Sequence, residues 1–375
     1  MAIDIAPTVL YSAQIGVVML AIAQLLSKPK GTQTTFLIGL LGLLLIHIFG
    51  ELYIYSGAYR FAPSIAGFQL PIRMMLGPAL YFYAYIAMSE RPEISVKKYL
   101  AALLGPLVII IAMLPFVILI SPEEKLALAN PATRDPELWK IAVFTCLFSA
   151  VAFVGFTFIY LGAALRLHAR HRRKLMDRYA EIEQRSMDWF KVILILWGLA
   201  WLMYAAKFAS TFVGINLHVV GAVLPVVESL ILLLFTHLAI KQTEVQPLSE
   251  KETELQTERV SVLTSDQMQQ IANRLSSSMT SDKLFTDEEL SLNRLAKHVE
   301  VSENYISETL SQWLNTNFYH FVNSYRVEAA KQMLISSDKL VSTIAYEVGF
   351  KSKSTFNSAF KKLAGTTPTA FKSET

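Results

Sequence analysis

The chain has 375 residues, of which 53% are hydrophobic and 17% are charged, and its formal net charge is +4 with a mean hydropathy of +0.40. A single cysteine, Cys146, excludes a disulfide framework and a cysteine metal cluster, and the seven histidines follow no metal-binding spacing. No HExxH, GxSxG, GxxxxGK[ST] or kinase signature is present, which argues against enzymes of these kinds. We therefore expect no catalysis, no metal and no cofactor.

Apolar segments of about twenty residues, the length needed to cross a hydrocarbon core, fill the first 240 positions. The seven predicted spans are 8–27, 34–55, 64–89, 99–120, 139–165, 189–213 and 217–240. The fifth is the longest and is expected to continue as a helix into the loop beyond it. The sequence predicts an all-α protein, in which a seven-helix transmembrane bundle in the lipid bilayer precedes a cytoplasmic helical domain.

The loops between the spans predict an orientation. With the N-terminus outside, the inner side carries 14 Lys and Arg residues, and the outer side carries only Arg60, Lys125, Arg134 and Lys140. Inner loops of membrane proteins are enriched in basic residues. We therefore expect a multi-pass protein of the bacterial inner membrane whose C-terminal domain lies in the cytoplasm, where DNA is.

Five ionisable residues fall inside the predicted spans, in the outer half of the bilayer. They are His47, Glu51, Arg73, Lys207 and Glu228. Because charged groups are costly in hydrocarbon, they should face the bundle interior and pair, Arg73 or Lys207 with Glu228 or Glu51. Two interpretations stay open: an ion-pair network that fixes the helix register, or an outward-opening pocket for a small ligand that could be anionic.

The loop at 166–185 is rich in arginine. Its simplest interpretation is a positive-inside anchor beside anionic headgroups. Alternatively, Asp177, Glu181 and Glu183 interleave with Arg178 and Arg185 at helical spacing and could dock the linker or the C-terminal domain. The second interpretation makes the loop a coupling element.

A polar segment separates the two halves of the chain. We expect a membrane domain at 1–240, a flexible linker at 241–263 and a helical domain at 264–375. Thr264 and Gln267 form a predicted capping box that begins a helix through Leu275. From Lys241 onward there are 15 basic and 17 acidic residues, so the basic excess belongs to the membrane half.

Two helix-turn-helix patterns occupy 286–372. In the first, Ser291 and Ser302 are predicted to cap the two helices, and Trp313 is predicted to be core. In the second, Gly349 should adopt the left-handed conformation that ends the first helix. The predicted inward residues are Leu292, Leu295, Ala296, Val299, Ile306, Leu310 and Leu314, then Leu340, Ile344, Ala345, Val348, Phe356, Phe360 and Leu363. A longer amphipathic helix from Phe318 to Met333 should join the units, and Thr367 and Pro368 should begin a short closing helix.

Two such units in one rigid chain suit two successive major grooves of a duplex, about 34 Å apart. This region resembles the DNA-binding domain of the AraC/XylS family of bacterial transcription regulators over roughly its last ninety residues. The resemblance rests on Ile344, Ala345, Tyr346, Glu347, Val348, Gly349 and Phe350, on Ser354, Phe356, Phe360, Lys361 and Lys362, on Gly365, Thr366, Thr367, Pro368 and Phe371, and on the run from Tyr325 to Ala330 in the bridging helix.

The predicted DNA-binding residues face outward on the second helix of each unit. They are Glu303, Asn304, Ser307, Glu308, Ser311 and Gln312 in the first unit, and Lys351, Lys353, Ser354, Thr355, Asn357, Ser358, Lys361 and Lys362 in the second. The lysines are suited to phosphate contacts and the amides to base edges. The first unit departs from the family pattern, because two glutamates stand there without arginine or lysine before Trp313.

Together these features predict a membrane-integrated one-component regulator, in which a signal at the bundle changes sequence-specific binding of double-stranded DNA. A small-molecule ligand in the outer half of the bundle, a homodimer and a contact with RNA polymerase are further partners that this hypothesis allows. Two alternatives stay open: a transporter with a regulatory or reporting tail, and a membrane adaptor whose tail binds protein.

Overall fold

The computed structural model describes residues 3–29, 31–89, 93–130, 132–183, 185–212, 218–242 and 263–374. Within these residues the chain is helical and forms no strand. Most of the predicted linker, residues 243–262, lies outside the described residues. Two compact units are present: 1–168 with 188–246, and 169–187 with 247–375.

The first unit contains the apolar helices. Their bounds are α1 Ile5–Leu26, α2 Thr32–Tyr55, α3 Gln69–Arg73, α4 Leu76–Met88, α5 Val96–Leu119, α6 Pro122–Leu128, α7 Pro136–Arg178, α8 Asp188–Phe212 and α9 His218–Gln242. Residues 169–178 at the end of α7 belong to the second unit. The predicted extension of the fifth span into the loop beyond it is confirmed, since α7 has 43 residues.

Six of the described helices, α1, α2, α5, α7, α8 and α9, are long and apolar enough to cross a membrane. The predicted third span is not one continuous helix, because the chain breaks at Met74 and Met75 between α3 and α4. The prediction of seven unbroken spans is therefore wrong at this position. Hydropathy does not detect such a break, because Met74 and Met75, where the break falls, are themselves apolar.

The core of the first unit lies where α1, α2, α4, α8 and α9 pack together. Tyr83 on α4 is fully buried, and its ring meets Phe190 and Phe235 edge to face. Large apolar side chains also point away from this core, among them Leu20 and Ile118, which are 73% and 71% exposed. An apolar outer surface is the arrangement expected of helices solvated by lipid.

The described residues of the second unit form seven further α-helices. Their bounds are α10 Ser265–Thr280, α11 Leu292–Val299, α12 Glu303–Glu308, α13 Phe318–Ser336, α14 Val341–Glu347, α15 Lys353–Ala364 and α16 Pro368–Glu374. A π-helical turn, Thr309–Trp313, continues α12. The capping box of Thr264 and Gln267 is confirmed, although α10 runs beyond Leu275 to Thr280.

In the described part of this unit, one apolar cluster lies around each helix-turn-helix pattern. Leu295, Ile306 and Phe318 belong to the first cluster. Ile344 and Phe356 belong to the second. Helix α13 contributes to both, so one 19-residue helix joins the two patterns, as the sequence predicts.

Candidate nucleic-acid interface

The first helix-turn-helix unit consists of α11 and α12. Both predicted caps are confirmed, since the Ser291 hydroxyl accepts the amide of Arg294 and the Ser302 hydroxyl accepts that of Tyr305. Glu300 ends α11 with φ at +53°, in the left-handed region. The two cap contacts satisfy amides that a helix start leaves unpaired.

The acidic residues of the first recognition helix make structural contacts. The Glu303 carboxylate accepts a hydrogen bond from Asn293 Nδ2 at 2.7 Å, and Glu308 Oε1 lies 3.4 Å from the amide of Leu263. Both side chains are half-buried, as is that of Ser307. Both glutamates thus have partners within the domain, and the open face of the first helix-turn-helix unit is presented by Asn304, Ser311 and Gln312.

Trp313 is 40% exposed, so its assignment to the core is wrong. The cause is the π-helical turn, in which the amide of Leu314 donates to the carbonyl of Thr309, five residues earlier. One extra residue in the turn shifts the helical phase and moves the indole outward. Trp313 thus joins the exposed face, although α-helical spacing gave no signal for it.

The second helix-turn-helix unit consists of α14 and α15. Gly349 has φ at +93°, which confirms the predicted left-handed position. A Cβ atom added there would lie 2.5 Å from the Phe285 carbonyl oxygen, so the backbone passes too closely for any side chain. Two inward assignments are wrong: Leu340 precedes α14 and is 72% exposed, and Leu363 is exposed near the end of α15.

The predicted outward face of α15 is largely open. Its exposed members are Lys353, Ser354, Ser358, Lys361 and Lys362, whereas Asn357 is half-buried. Thr355 is buried, and its Oγ1 lies 2.9 Å from Ser352 Oγ. Its assignment to the outward face is therefore wrong, because a residue three positions after the capping serine turns back toward the cap.

Two of the four predicted phosphate-binding lysines have partners within the protein. Lys351 forms an ion pair with Glu289, and Lys362 Nζ lies 3.3 Å from His320 Nε2 on α13. Burial lowers the pKa of Lys362, and the nearby Arg172 lowers it further. Burial also lowers the pKa of His320, followed by the effects of Lys362 and Arg172. The more available cations of this unit are Lys353 and Lys361.

A buried arginine connects the bridging helix to the segment before α11. Arg326 on α13 is fully buried, and its guanidinium donates to the carbonyls of Phe285 and Asp287, each at 2.8 Å. The guanidinium carbon also lies 5.2 Å from the centre of the ring of Phe350, in the second helix-turn-helix unit. Burial lowers the pKa of Arg326 to about 10, so the side chain stays charged at neutral pH. Arg326 thus connects both helix-turn-helix units to helix α13.

Residues 169–183 and 185–187, which we call the docked segment, pack against the helix-turn-helix units. Leu175, Met176 and Ile182 form an apolar cluster with Tyr319 on α13. The Ala180 carbonyl accepts a hydrogen bond at 2.9 Å from Asn323, whose side chain is fully buried. These contacts fit the coupling interpretation of the basic loop; an anchor beside lipid headgroups does not require them.

Glu181 in the docked segment holds the start of the second recognition helix. Its carboxylate accepts a hydrogen bond at 2.7 Å from the amide of Lys351, which directly precedes the capping residue Ser352 of α15. Burial raises the pKa of Glu181, and the hydrogen bond with the Lys351 amide partly offsets this rise. A carboxylate thus occupies the kind of position, at a helix N-terminus, where proteins bind phosphate.

The ionisable residues of the membrane half come together in the first unit. His47, Glu51, Arg73 and Glu228 line one cavity of about 20 Å³. Arg73 and Glu51 form the predicted ion pair. Glu228 accepts instead from the Tyr11 hydroxyl at 2.9 Å, and Lys207 lies 3.1 Å from the Tyr55 hydroxyl. A space of this size holds about one water molecule, which favours the interpretation as a register-fixing network.

Comparison with known proteins identifies the C-terminal region. Residues 295–374 match a family model described as a helix-turn-helix domain. Residues 295–374 are an AraC-type helix-turn-helix domain. The resemblance predicted from the sequence is therefore confirmed for this domain, which comprises most of the second unit. No group of three His, Cys, Asp or Glu residues that could hold a metal ion is found within the described ranges.

The relatives of the AraC-type domain are parts of larger proteins. An uncharacterized HTH-type transcriptional regulator of Staphylococcus aureus is 31% identical over 114 residues, which cover 30% of this chain and 14% of that protein. YtdP of Bacillus subtilis, an uncharacterized HTH-type transcriptional regulator, is 34% identical over 82 residues, which cover 22% of this chain and 11% of that protein. The chain thus spans a small fraction of the length of these curated relatives.

Among solved structures, the C-terminal domain of AraT, a response regulator from Geobacillus stearothermophilus, is 28% identical. The match covers 28% of this chain and 84% of that chain, with a TM-score of 0.26. The C-terminal domain of the two-component response regulator yesN from Fusobacterium nucleatum is 26% identical, with coverages of 29% and 99% and a TM-score of 0.25.

Proposed function

We propose that this protein is a membrane-integrated transcription regulator, in which a signal at the apolar helices controls DNA binding by the AraC-type domain. The observation that carries the proposal is the presence, in one chain, of six membrane-length helices and this domain. The names of the relatives support a role in transcription. A homodimer and a contact with RNA polymerase are additional partners under this proposal.

The basic loops support a location in the bacterial inner membrane with the N-terminus outside. With the N-terminus outside and the DNA-binding domain in the cytoplasm, the chain must cross the membrane an odd number of times. Helices α3 and α4 together cover residues 69–88, which is a membrane length despite the break. We take this pair as one further crossing, the third in chain order, which brings the total to seven. Fusions of a periplasm-active enzyme after residues 60 and 180 test this topology, and only the fusion after residue 60 should be active.

The docked segment supports a route for the signal. Helix α7 contains both apolar residues of the first unit and the first part of the docked segment, and Glu181 follows its end by three residues. In the proposed mechanism, Glu181 competes with a DNA phosphate for the N-terminus of α15. A signal that displaces the docked segment frees this amide and increases the affinity for DNA.

The test uses the full chain in lipid nanodiscs and duplexes that it selects from a random pool. Glu181→Ala should bind these duplexes about tenfold more tightly, because one charge-assisted hydrogen bond contributes about 1.5 kcal/mol. The matched control is Glu183→Ala, which removes an equal charge from the same segment; Glu183 Oε2 accepts the amide of Ile182 and not that of Lys351.

Fluorescence anisotropy at fixed salt measures both affinities. Equal affinities for the two variants would show that Glu181 does not restrain DNA binding, while the DNA-binding role would stand. Failure to select any duplex would refute DNA binding itself and leave the adaptor hypothesis.

A further inference from the structure

A second cavity in the first unit is large enough for a ligand. Its volume is about 260 Å³, and its walls come from α2, α3, α5, α7, α8 and the turn before α3. Most of the lining is apolar, including Leu70, Met113, Phe116 and Phe153. Since an apolar protein cavity of about 150 Å³ accepts benzene, this one admits a molecule of roughly ten heavy atoms.

Four buried polar atoms in the lining residues have no hydrogen-bond partner among the described residues. They are Gln69 Oε1, Arg73 Nε, Thr145 Oγ1 and Ser149 Oγ. The side chains of Thr145 and Ser149 are 2% and 4% exposed and stand one turn apart on the same face of α7. Buried polar groups are nearly always satisfied, so these four atoms are available to a hydrogen-bonding occupant of the cavity.

The charges around the cavity indicate a neutral occupant. Arg73 already forms an ion pair with Glu51, and its guanidinium carbon lies 4.6 Å from the centre of the Tyr204 ring. The unpartnered groups are an N–H donor, an amide oxygen and two hydroxyls, which both donate and accept. A hydroxyl or carbonyl head group matches this set, whereas a carboxylate would meet Glu51 nearby.

The cavity also reaches the outer apolar surface. Two of its lining residues, Ile54 and Cys146, are exposed on membrane-length helices. Such an opening admits molecules that partition into lipid.

We infer that this cavity binds a small, uncharged amphiphile of medium chain length, whose hydroxyl or carbonyl group pairs with Thr145, Ser149 and Gln69. The inference rests on the proposed function, because it supplies the signal. Helix α7 carries both the two hydroxyl residues and the first residues of the docked segment. Occupation of the cavity therefore acts on the helix that leads to Glu181.

The experiment uses photolabelling of the full chain in nanodiscs with octanol that carries a diazirine group. Modified peptides are located by mass spectrometry. Labelling of cavity residues such as Met113 and Cys146 should be competed by 1-octanol, but not by octane or octanoate. In the double variant Thr145→Val, Ser149→Ala, labelling of these cavity residues should fall by roughly tenfold, since two hydrogen bonds to the octanol hydroxyl are lost.

The control is Thr157→Val, because Thr157 is a fully buried residue of α7 that does not line the cavity. Its labelling should equal that of the unaltered chain. Size-exclusion chromatography checks folding, and a bulky thiol reagent on Cys146, the single cysteine, provides a second block of the cavity in the unaltered sequence. Labelling spread over lipid-facing residues, independent of the hydroxyls and of Cys146 modification, would overturn the site.

Binding to selected duplexes is measured on the same samples with and without 1-octanol. A change in DNA affinity that the double variant loses is the expected result. Because photolabelling requires no DNA, failure of DNA binding leaves the cavity result readable. The two failures are therefore distinguishable.

Discussion

The two helix-turn-helix units share a plan but differ in how their recognition helices are held. The first is held by its own acidic residues, with Glu303 bonded to Asn293 and Glu308 bonded to the Leu263 amide. The second carries exposed lysines, and its start is bonded to Glu181 of the docked segment. The difference suggests a division of labour: the first unit offers amides suited to base edges, and the second offers charge that the docked segment can restrain.

The largest expected effect is a difference in stability between substitutions in the turns of the two helix-turn-helix units. Gly349→Ala should destabilise the second unit by about 3 kcal/mol or more, because a side chain there meets the Phe285 carbonyl and adopts a left-handed conformation. Hydrogen exchange of α14 and α15 amides in the full chain measures it. Glu300→Ala is the control in the first turn, where a side chain is already tolerated; similar effects at both positions would remove this distinction.

A smaller effect concerns DNA itself. Lys353→Gln should weaken binding to all duplexes alike and reduce the salt dependence of log K by about one unit, as expected for one lost phosphate contact. Asn304→Ala should instead weaken binding to the selected duplex by about 1–3 kcal/mol and spare unrelated sequences. Titrations at several salt concentrations measure both. The proposed division fails if Asn304→Ala changes the salt dependence and Lys353→Gln changes the sequence preference.

The smallest effect depends on pH. The pKa of His320 is lowered in the folded protein, so the unfolded state binds more protons below its ordinary pKa of about 6.5. The stability that the neutral imidazole contributes is therefore present above this pH and declines as the pH falls. Hydrogen exchange of the α13 and α15 amides between pH 7.5 and 5.5 measures the decline, after correction for the pH dependence of the intrinsic exchange rate. His320→Gln should reduce it, and so should Lys362→Gln; an unchanged slope in both would exclude this pair as its source.

Local chemistry determined which features the sequence could predict. The caps at Ser291 and Ser302, the capping box at Thr264 and the turn at Gly349 depend on residues within three or four positions, and each is present. The apolar lengths predicted seven spans, and six of the described helices are long and apolar enough to cross a membrane.

Features that depend on distant contacts or on an altered helical phase were not predictable. Trp313 is moved outward by a π-helical turn that no residue pattern announces. The bond between Glu181 and Lys351 joins positions 170 residues apart. The sequence offered only charged residues in a loop, with nothing to specify which partner each would meet.

The buried Arg326 has a consequence for the DNA that this domain can use. Its bonds to Phe285 and Asp287 and its contact with Phe350 hold both units on one rigid helix, so the separation of α12 and α15 is fixed by the protein. Each base pair added to a duplex rotates the DNA beyond it by about 35°. An operator with a single inserted base pair between its two half-sites would therefore present its second groove out of phase, and the spacing of the half-sites is as much a part of the recognised sequence as the bases themselves.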